Sequence, residues 1–354
     1  MRPLRIAQVA PLFESVPPKF YGGTERVVSY LTEQLVAMSQ EVTLFASGDS
    51  VTAARLIPPC GKSLRLDHAL ADYMPYQVLL LEKIFQHADE FDVVHFHTDY
   101  MHFPYSRRQS MPVLTTLHGR LDLPDLVPIF DEFRDMPLTS ISDSQRRPLP
   151  RANWRSTVYH GLPTDLFRFQ EEPENYLAFL GRLSPEKRVD RAIEIAGRAG
   201  MKLRIAAKID AADRSYFESE VAPLMRLPHV EYLGEINEKE KGPLLGGAQA
   251  LLFPIDWPEP FGLVMIESMA CGTPVIAFRG GSVDEVMDEG VTGFIVESVD
   301  EAVKAVERIP EISRRRCRDV FESRFSAERM ARDYLAVYEN LVTHEQPSAA
   351  AMDA

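Results

Sequence analysis

Cysteine is scarce in this chain: Cys60, Cys271 and Cys317 are the only three in 354 residues. Scattered and odd in number, they exclude a disulfide framework or a cysteine-built zinc site and fit a reducing compartment. Long apolar runs are also missing. No stretch approaches the roughly 18 apolar residues that a membrane-spanning helix needs. The first residues, Met1-Arg2-Pro3-Leu4-Arg5-Ile6-Ala7, run straight into a strand pattern without the apolar region of a secretory leader. A cytoplasmic protein with no transmembrane segment is therefore expected. Positive charge is in deficit, with 39 basic against 52 acidic residues, and no basic run exceeds Arg314-Arg315-Arg316. Nucleic acid is not expected as a partner, although a local cationic cluster can still take a small anion. The fingerprint G-x-G-x-x-G does not occur, which disfavours a dinucleotide-dependent dehydrogenase.

What is present is a βα pattern, run twice. Strand patterns at 4–10, 41–46, 92–96, 112–117, 138–142 and 156–159 share the first half with helical patterns at 24–39 and 73–87. Thr24 is a good N-cap for the first helix, which carries Val27, Val28, Leu31, Leu35 and Met38 on one face. The second turns Leu79, Leu80, Ile84 and Phe85 inward. The turn-rich, charged stretch 160–174 reads as a boundary. A second series follows, with strands at 176–180, 201–207, 229–233, 250–254, 274–278 and 294–296. Helices are expected at 185–199, capped by Ser184 with Pro185 first, and at 213–226, 238–247, 261–270, 284–288 and 326–341. The chain thus predicts α/β domains at 1–165 and 166–325, each a parallel sheet covered on both faces. A final helix at 326–342, with Met330, Tyr334, Val337, Tyr338 and Leu341 on one face, and a disordered tail at 343–354 complete it.

Candidate binding residues collect where strands end. Gly22-Gly23 follow the first strand, either as a plain turn or as a close backbone approach to a ligand. His95, His97 and Asp99 lie at the end of another, as a metal cluster or as cleft-lining or structural histidines. His118-Gly119 ends a third, where open α/β sheets bind ligands. In the second half, Arg182 and Lys187 flank the loop after the strand at 176–180. Lys187-Arg188 alone would simply begin a solvent-facing helix. The stretch from Pro258 to Ile276 is more pointed. Its helical pattern is almost wholly apolar, closed by Gly272 and Pro274, yet it contains Glu267, with Glu259 just before it. A carboxylate among apolar neighbours is costly unless paired, and sugar or ribose hydroxyls are natural partners. The N–H groups of Phe261, Gly262 and Leu263 lie between the acids at a helix start, where phosphate is favoured.

Glu259 and Glu267, separated by seven residues inside Pro-Glu-Pro-Phe-Gly-Leu-Val-Met-Ile-Glu-Ser-Met-Ala-Cys-Gly-Thr-Pro-Val-Ile, resemble the E-x7-E signature of retaining family 4 glycosyltransferases. Tyr21-Gly22-Gly23-Thr24-Glu25, Leu117-His118-Gly119, Gly181-Arg182-Leu183 with Lys187, and Gly280-Gly281 with Glu285 follow the family order over about residues 4–342. The resemblance implies a GT-B fold: two Rossmann-like domains with parallel sheets facing across a cleft, the second holding most of a nucleotide-diphosphate sugar. It implies that Arg182 and Lys187 bind the diphosphate and Glu267 the ribose. It further implies that Glu259 contacts the donor sugar with main-chain groups of Phe261, Gly262, Leu263 and Val264, that His118 projects toward that sugar, and that Gly22 and Gly23 lie near the phosphates. His118, Glu259, Arg182 and Lys187 are thus the expected catalytic residues. The implied reaction is retaining hexosyl transfer, from a UDP-sugar by preference, to a soluble small molecule or glycan.

No D-x-D motif stands at a strand end, so neither metal nor cofactor is expected. Two departures from the family pattern are Ala206-Ala207-Lys208-Ile209-Asp210, where relatives carry a glycine turn, and His160-Gly161 in place of Asn-Gly. The alternatives are a non-catalytic nucleotide-sugar-binding subunit and a nucleotide-sugar epimerase on the same fold. The acceptor is unidentified. Loops 13–20 and 99–108 are expected to meet it, with Tyr21, Tyr100, Phe103 and Tyr105 either stacking on it or packing in the core.

Overall fold

The computed structural model describes residues 2–67 and 69–345. The chain forms two compact units, one reaching Gly161 and including the C-terminal helix, the other Leu162–Ser326; a first break after residue 165 was expected. In chain order, unit 1 contains β1 (Arg5–Val9), α1 (Gly23–Ala37), β2 (Glu41–Phe45), β3 (Arg55–Ile57), α2 (Met74–Gln86), β4 (Val93–Phe96), α3 (Phe103–Ser106), β5 (Val113–Thr116), α4 (Leu126–Glu132), β6 (Leu138–Ser140), α5 (Asp143–Arg146) and β7 (Trp154–Thr157). Unit 2 contains β8 (Tyr176–Arg182), α6 (Val189–Arg198), β9 (Lys202–Lys208), α7 (Arg214–Tyr216), β10 (Val230–Gly234), α8 (Glu238–Gly247), β11 (Ala250–Phe253), α9 (Leu263–Ala270), β12 (Val275–Phe278), α10 (Val283–Val286), β13 (Gly293–Val296), α11 (Val299–Arg308) and α12 (Arg314–Arg324). The chain then enters α13 (Ala327–Glu345), which packs on α1 of unit 1.

Both sheets are parallel. Unit 1 has the order β3-β2-β1-β4-β5-β6-β7 and unit 2 the order β10-β9-β8-β11-β12-β13. In each, strand order reverses beside the first strand: between β1 and β4, and between β8 and β11. A crevice opens at such a switch point beyond the carboxyl ends of the strands. The loops after β1, β4, β8 and β11 therefore hold the ground where a ligand binds. Each unit has its own core. Phe45, Phe96, Phe103 and Ile84 anchor one, while Leu177, Ile193, Leu203, Ile205 and Phe294 anchor the other. Each such side chain contributes roughly 1.5–3 kcal/mol on burial.

Several expectations need correction. The cap of α1 is Gly22, not Thr24, and a Cβ at Gly22 would come within 2.7 Å of Pro18. Leu79 is exposed; Leu81 is buried instead. The strand expected at 156–159 starts two residues earlier, as β7. The helix expected from Pro185 is broken. A 3-10 turn over Pro185–Lys187 ends at Arg188, whose φ of 51° is left-handed, and α6 starts only at Val189. Ion pairs from Arg188 to Asp190 at 2.8 Å and Asp256 at 2.9 Å hold that kink. The helix expected at 213–226 is three short turns of different pitch. α13 extends through Glu345, so residues 343–345 are helical, and the rest of the expected tail, 346–354, lies outside the described residues.

Candidate active site

Unit 2 places Arg182 at the end of β8, Lys187 on the loop after it, Glu259 on the loop after β11 and Glu267 in α9. Arg182 closes β8 and pairs with Glu186, and with Asp213 at 3.2 Å. Burial pushes the Asp213 carboxyl up, against the pull of Arg182. Glu186 goes the other way: burial raises it, but backbone and Ser184 hydrogen bonds and Arg182 together hold it below its ordinary value. Lys187, in the turn before Arg188, pairs with the buried carboxylate of Glu259. Its Nζ lies 4.9 Å from the Trp257 ring centre and 5.5 Å from that of Phe253. Trp257 Nε1 donates to Glu259 at 3.0 Å. The two loops are laced together, since Asp256 N–H donates to Glu186 O at 2.8 Å and Arg191 reaches Asp256 at 3.0 Å.

α9 begins at Leu263, not at Phe261 as expected, because Gly262 is left-handed with φ 76°. Phe261 is a core residue in the bend before it. A helix's first turn leaves its N–H groups without intrahelical acceptors, and in α9 that turn begins with Leu263 and Val264. Glu267 is buried in α9 and receives Lys241 of α8 at 2.6 Å. This lysine was not among the expected residues. Only packing of α8 on α9 joins positions 26 apart in sequence. Gly280-Gly281 backs the same loop. Gly281 has φ 56°, and a Cβ there would lie 2.2 Å from the Glu259 carbonyl oxygen. Lys208, at the end of β9, pairs with Asp210 at 2.6 Å.

Unit 1 organises its polar residues differently. His118 follows β5; the residue is partly exposed while its Nδ1 is buried. Its Nε2 is 2.8 Å from His97 Nδ1, and His97 Nε2 is 2.9 Å from Gln8 Oε1. Gln8 Nε2 donates to the Tyr338 hydroxyl of α13 at 3.0 Å. His95 uses both ring nitrogens, toward Tyr338 and Thr116, each at 2.7 Å. These histidines are committed to one another and to the fold, and among the described residues no group of three potential ligands could hold a metal. Burial pushes the imidazole pKa of His118 down to about 3 and those of His95 and His97 well below the ordinary value. The rings of His118 and His160 stack at 5.3 Å. Of the aromatics expected near an acceptor, Phe103 is core, whereas Tyr21 and Tyr105 are exposed.

Comparison with known proteins bears on the family and the fold. The family model "Glycosyltransferase Family 4" matches residues 21–164, and "Glycosyl transferases group 1" matches 164–322. An N-acetyl-alpha-D-glucosaminyl L-malate synthase from Bacillus anthracis is 23% identical, with 92% of this chain and 96% of that protein covered. A probable sucrose-phosphate synthase from Thermosipho melanesiensis is 26% identical over 52% of this chain and 45% of its own length. The chain spans about half the length of several curated relatives, that synthase included. The crystal structure of Anabaena HepE in complex with UDP-glucose superposes with a TM-score of 0.67 at 17% identity, covering 95% of this chain and all of that one. That likeness is one of fold, and it makes the two Rossmann-like units a GT-B architecture. With one family model ending where the other begins, the chain belongs with the glycosyltransferases of the family 4/group 1 type.

Proposed function

We propose that this protein is a retaining, metal-independent hexosyltransferase that uses a nucleotide-diphosphate sugar, by preference a UDP-sugar, and a hydroxyl of a soluble small molecule or glycan. The observation that carries the reading is the pair of buried acids at α9, Glu259 before it and Glu267 within it, each held by a lysine. Buried carboxylates with flexible cationic partners suit the hydroxyls of a sugar and a ribose, because each lysine can yield its place. Arg182, Lys187 and the N–H groups of Leu263 and Val264 would hold the diphosphate. Lys187 then turns from Glu259 to phosphate and releases the carboxylate for the donor sugar. From unit 1 we assign His118 to the same sugar, and Gly22 and Gly23 to the phosphates. A UDP-sugar is favoured by the likeness to a fold that holds UDP-glucose.

In the step itself, the bond between the anomeric carbon and the diphosphate oxygen breaks as the acceptor oxygen bonds to the same face. The departing phosphate oxygen takes the acceptor's proton. Negative charge grows on the leaving group, and each well-placed donor there is worth about 3–4 kcal/mol. Glu259 orients the sugar and stabilises its cationic carbon. A panel of UDP-, GDP- and ADP-sugars tests the reading by donor hydrolysis and transfer. Turnover with one of them, and a product with the donor's anomeric configuration by NMR, are expected; an inverted linkage, or no donor bound above background, would overturn it. Activity should survive EDTA. Its abolition by EDTA with recovery in Mg²⁺ would end the metal-independent reading.

A further inference from the structure

The buried polar chain of unit 1 has a direction. Gln8 turns its amide nitrogen to the Tyr338 hydroxyl and its Oε1 to His97. A carbonyl oxygen only accepts, so His97 must carry its proton on Nε2 and donate it to Gln8. His97 lies in complete burial, which keeps its ring neutral. A neutral imidazole has one proton, so His97 Nδ1 is bare and accepts. The group facing it at 2.8 Å is His118 Nε2, which must therefore be the donor. His118, whose Nδ1 is buried, is held neutral as well, and that remaining nitrogen, Nδ1, is left as a lone-pair acceptor. That Nδ1 has no hydrogen-bond partner among the described residues. A buried acceptor without a donor is unfavourable. The next residue, Gly119, is exposed, and a Cβ there would meet nothing within 4 Å.

We propose that Gln8 and His97 are positioning residues that fix His118 as its Nε2–H tautomer, so that Nδ1 accepts a hydrogen bond from a hydroxyl of the bound sugar. At the far end Gln8 Nε2 donates to the Tyr338 hydroxyl of α13. The tautomer is a property of unit 1 alone, whereas its use rests on the transferase reading above.

Histidine side-chain ¹⁵N NMR on the full chain tests it, with Gln8→Glu as the informative variant. In the wild type, His118 should show a pyrrole-like Nε2 and a pyridine-like Nδ1. A carboxylate at position 8 accepts on both oxygens and favours a proton on each nitrogen of His97. His97 then donates to His118 Nε2, and the His118 proton moves to Nδ1. Turnover of the nucleotide sugar in Gln8→Glu should fall about tenfold, the size of one hydrogen bond, with the KM for donor little changed. Tyr338→Phe keeps the contact between Gln8 and His97 and should keep the wild-type tautomer. A wild-type His118 protonated on Nδ1, or an unchanged tautomer in Gln8→Glu, overturns the relay. A reversed tautomer with undiminished turnover overturns its use by the sugar. Absence of any transferase activity in the wild type would count against the transferase reading and the sugar's use of Nδ1, while the tautomer would still stand or fall by NMR.

Discussion

Lys187 and Glu259 show how much one ion pair decides. Neither is well exposed, and each is the other's main charge partner. Removing one partner of a buried pair leaves the other charge uncompensated, whereas removing both is far less harmful. Lys187→Met should therefore lower stability by about 2–4 kcal/mol, read from thermal unfolding. Glu259→Gln keeps an acceptor for Trp257 but strands the Lys187 charge. It should lose stability too, though less than Lys187→Met because Lys187 is the more exposed partner, and it should lose about 10²–10³ in turnover. The double variant should recover stability without recovering turnover. Recovery of both would show that the pair is structural only. Glu267 was legible in the sequence as an acid in an apolar helix, but its partner was not. Lys241 looks like an ordinary surface lysine until α8 is laid on α9.

At the scale of elements, the loop carrying Glu259 is shaped by the glycines beneath it. Gly281 lies under the Glu259 backbone at a left-handed φ, while Gly290, also left-handed at 73°, has nothing within 4 Å of its would-be Cβ. Gly290→Ala should cost only the conformational term, about 1–2 kcal/mol. Gly281→Ala adds a backbone clash, so it should be less stable than Gly290→Ala and lose turnover as well. Equal melting temperatures for the two would refute this packing argument. The same scale explains what periodicity left out. α11 and α12 were not among the expected helices, although Ser298 and Ser313 cap them by accepting from Glu301 N–H and Arg316 N–H. Arg314 was counted only as part of a basic run. It is a structural residue, donating to the carbonyls of Gln170 at 2.7 Å, Gly246 at 2.6 Å and Ala248 at 2.9 Å.

At the scale of the whole molecule, the two units differ in buried histidine. His95, His97, His102, His118 and His160 all lie in unit 1, and burial lowers every one of their pKa values. Unit 2 has His229 alone. A histidine held neutral in the folded state and free to protonate when unfolded contributes stability that is complete above the unfolded pKa near 6.5. It is lost as pH falls below that value. Each contributes a slope of up to about 1.4 kcal/mol per pH unit, and five together are large against ordinary domain stability. Unit 1 should therefore unfold first in mild acid. The two tryptophans divide between the units, Trp154 in the first and Trp257 in the second. Single-tryptophan variants followed by fluorescence from pH 7 downward, in steps of about 0.5, should give a higher midpoint for the Trp154 signal. Coincident midpoints would remove the argument.

The sequence determined the two βα series, their hydrophobic strands and the acids at Glu259 and Glu267. These follow from periodicity, turn residues and the local cost of a charge among apolar neighbours, all short-range properties of the chain. Tertiary structure decided the rest. It chose the switch points that gather the loops after β8 and β11. It bent the chain at Arg188 and Gly262, delaying two helices, because ion pairs to Asp256 and close packing beneath Glu259 outweigh helical propensity there. It also joined Gln8, His97, His118 and Tyr338 into one chain. Hydrogen bonds between residues 21, 89 and 330 apart in sequence leave no trace in local pattern, and the pairing of β1, β4 and β5, with α13 packed against β4, brings those groups within reach.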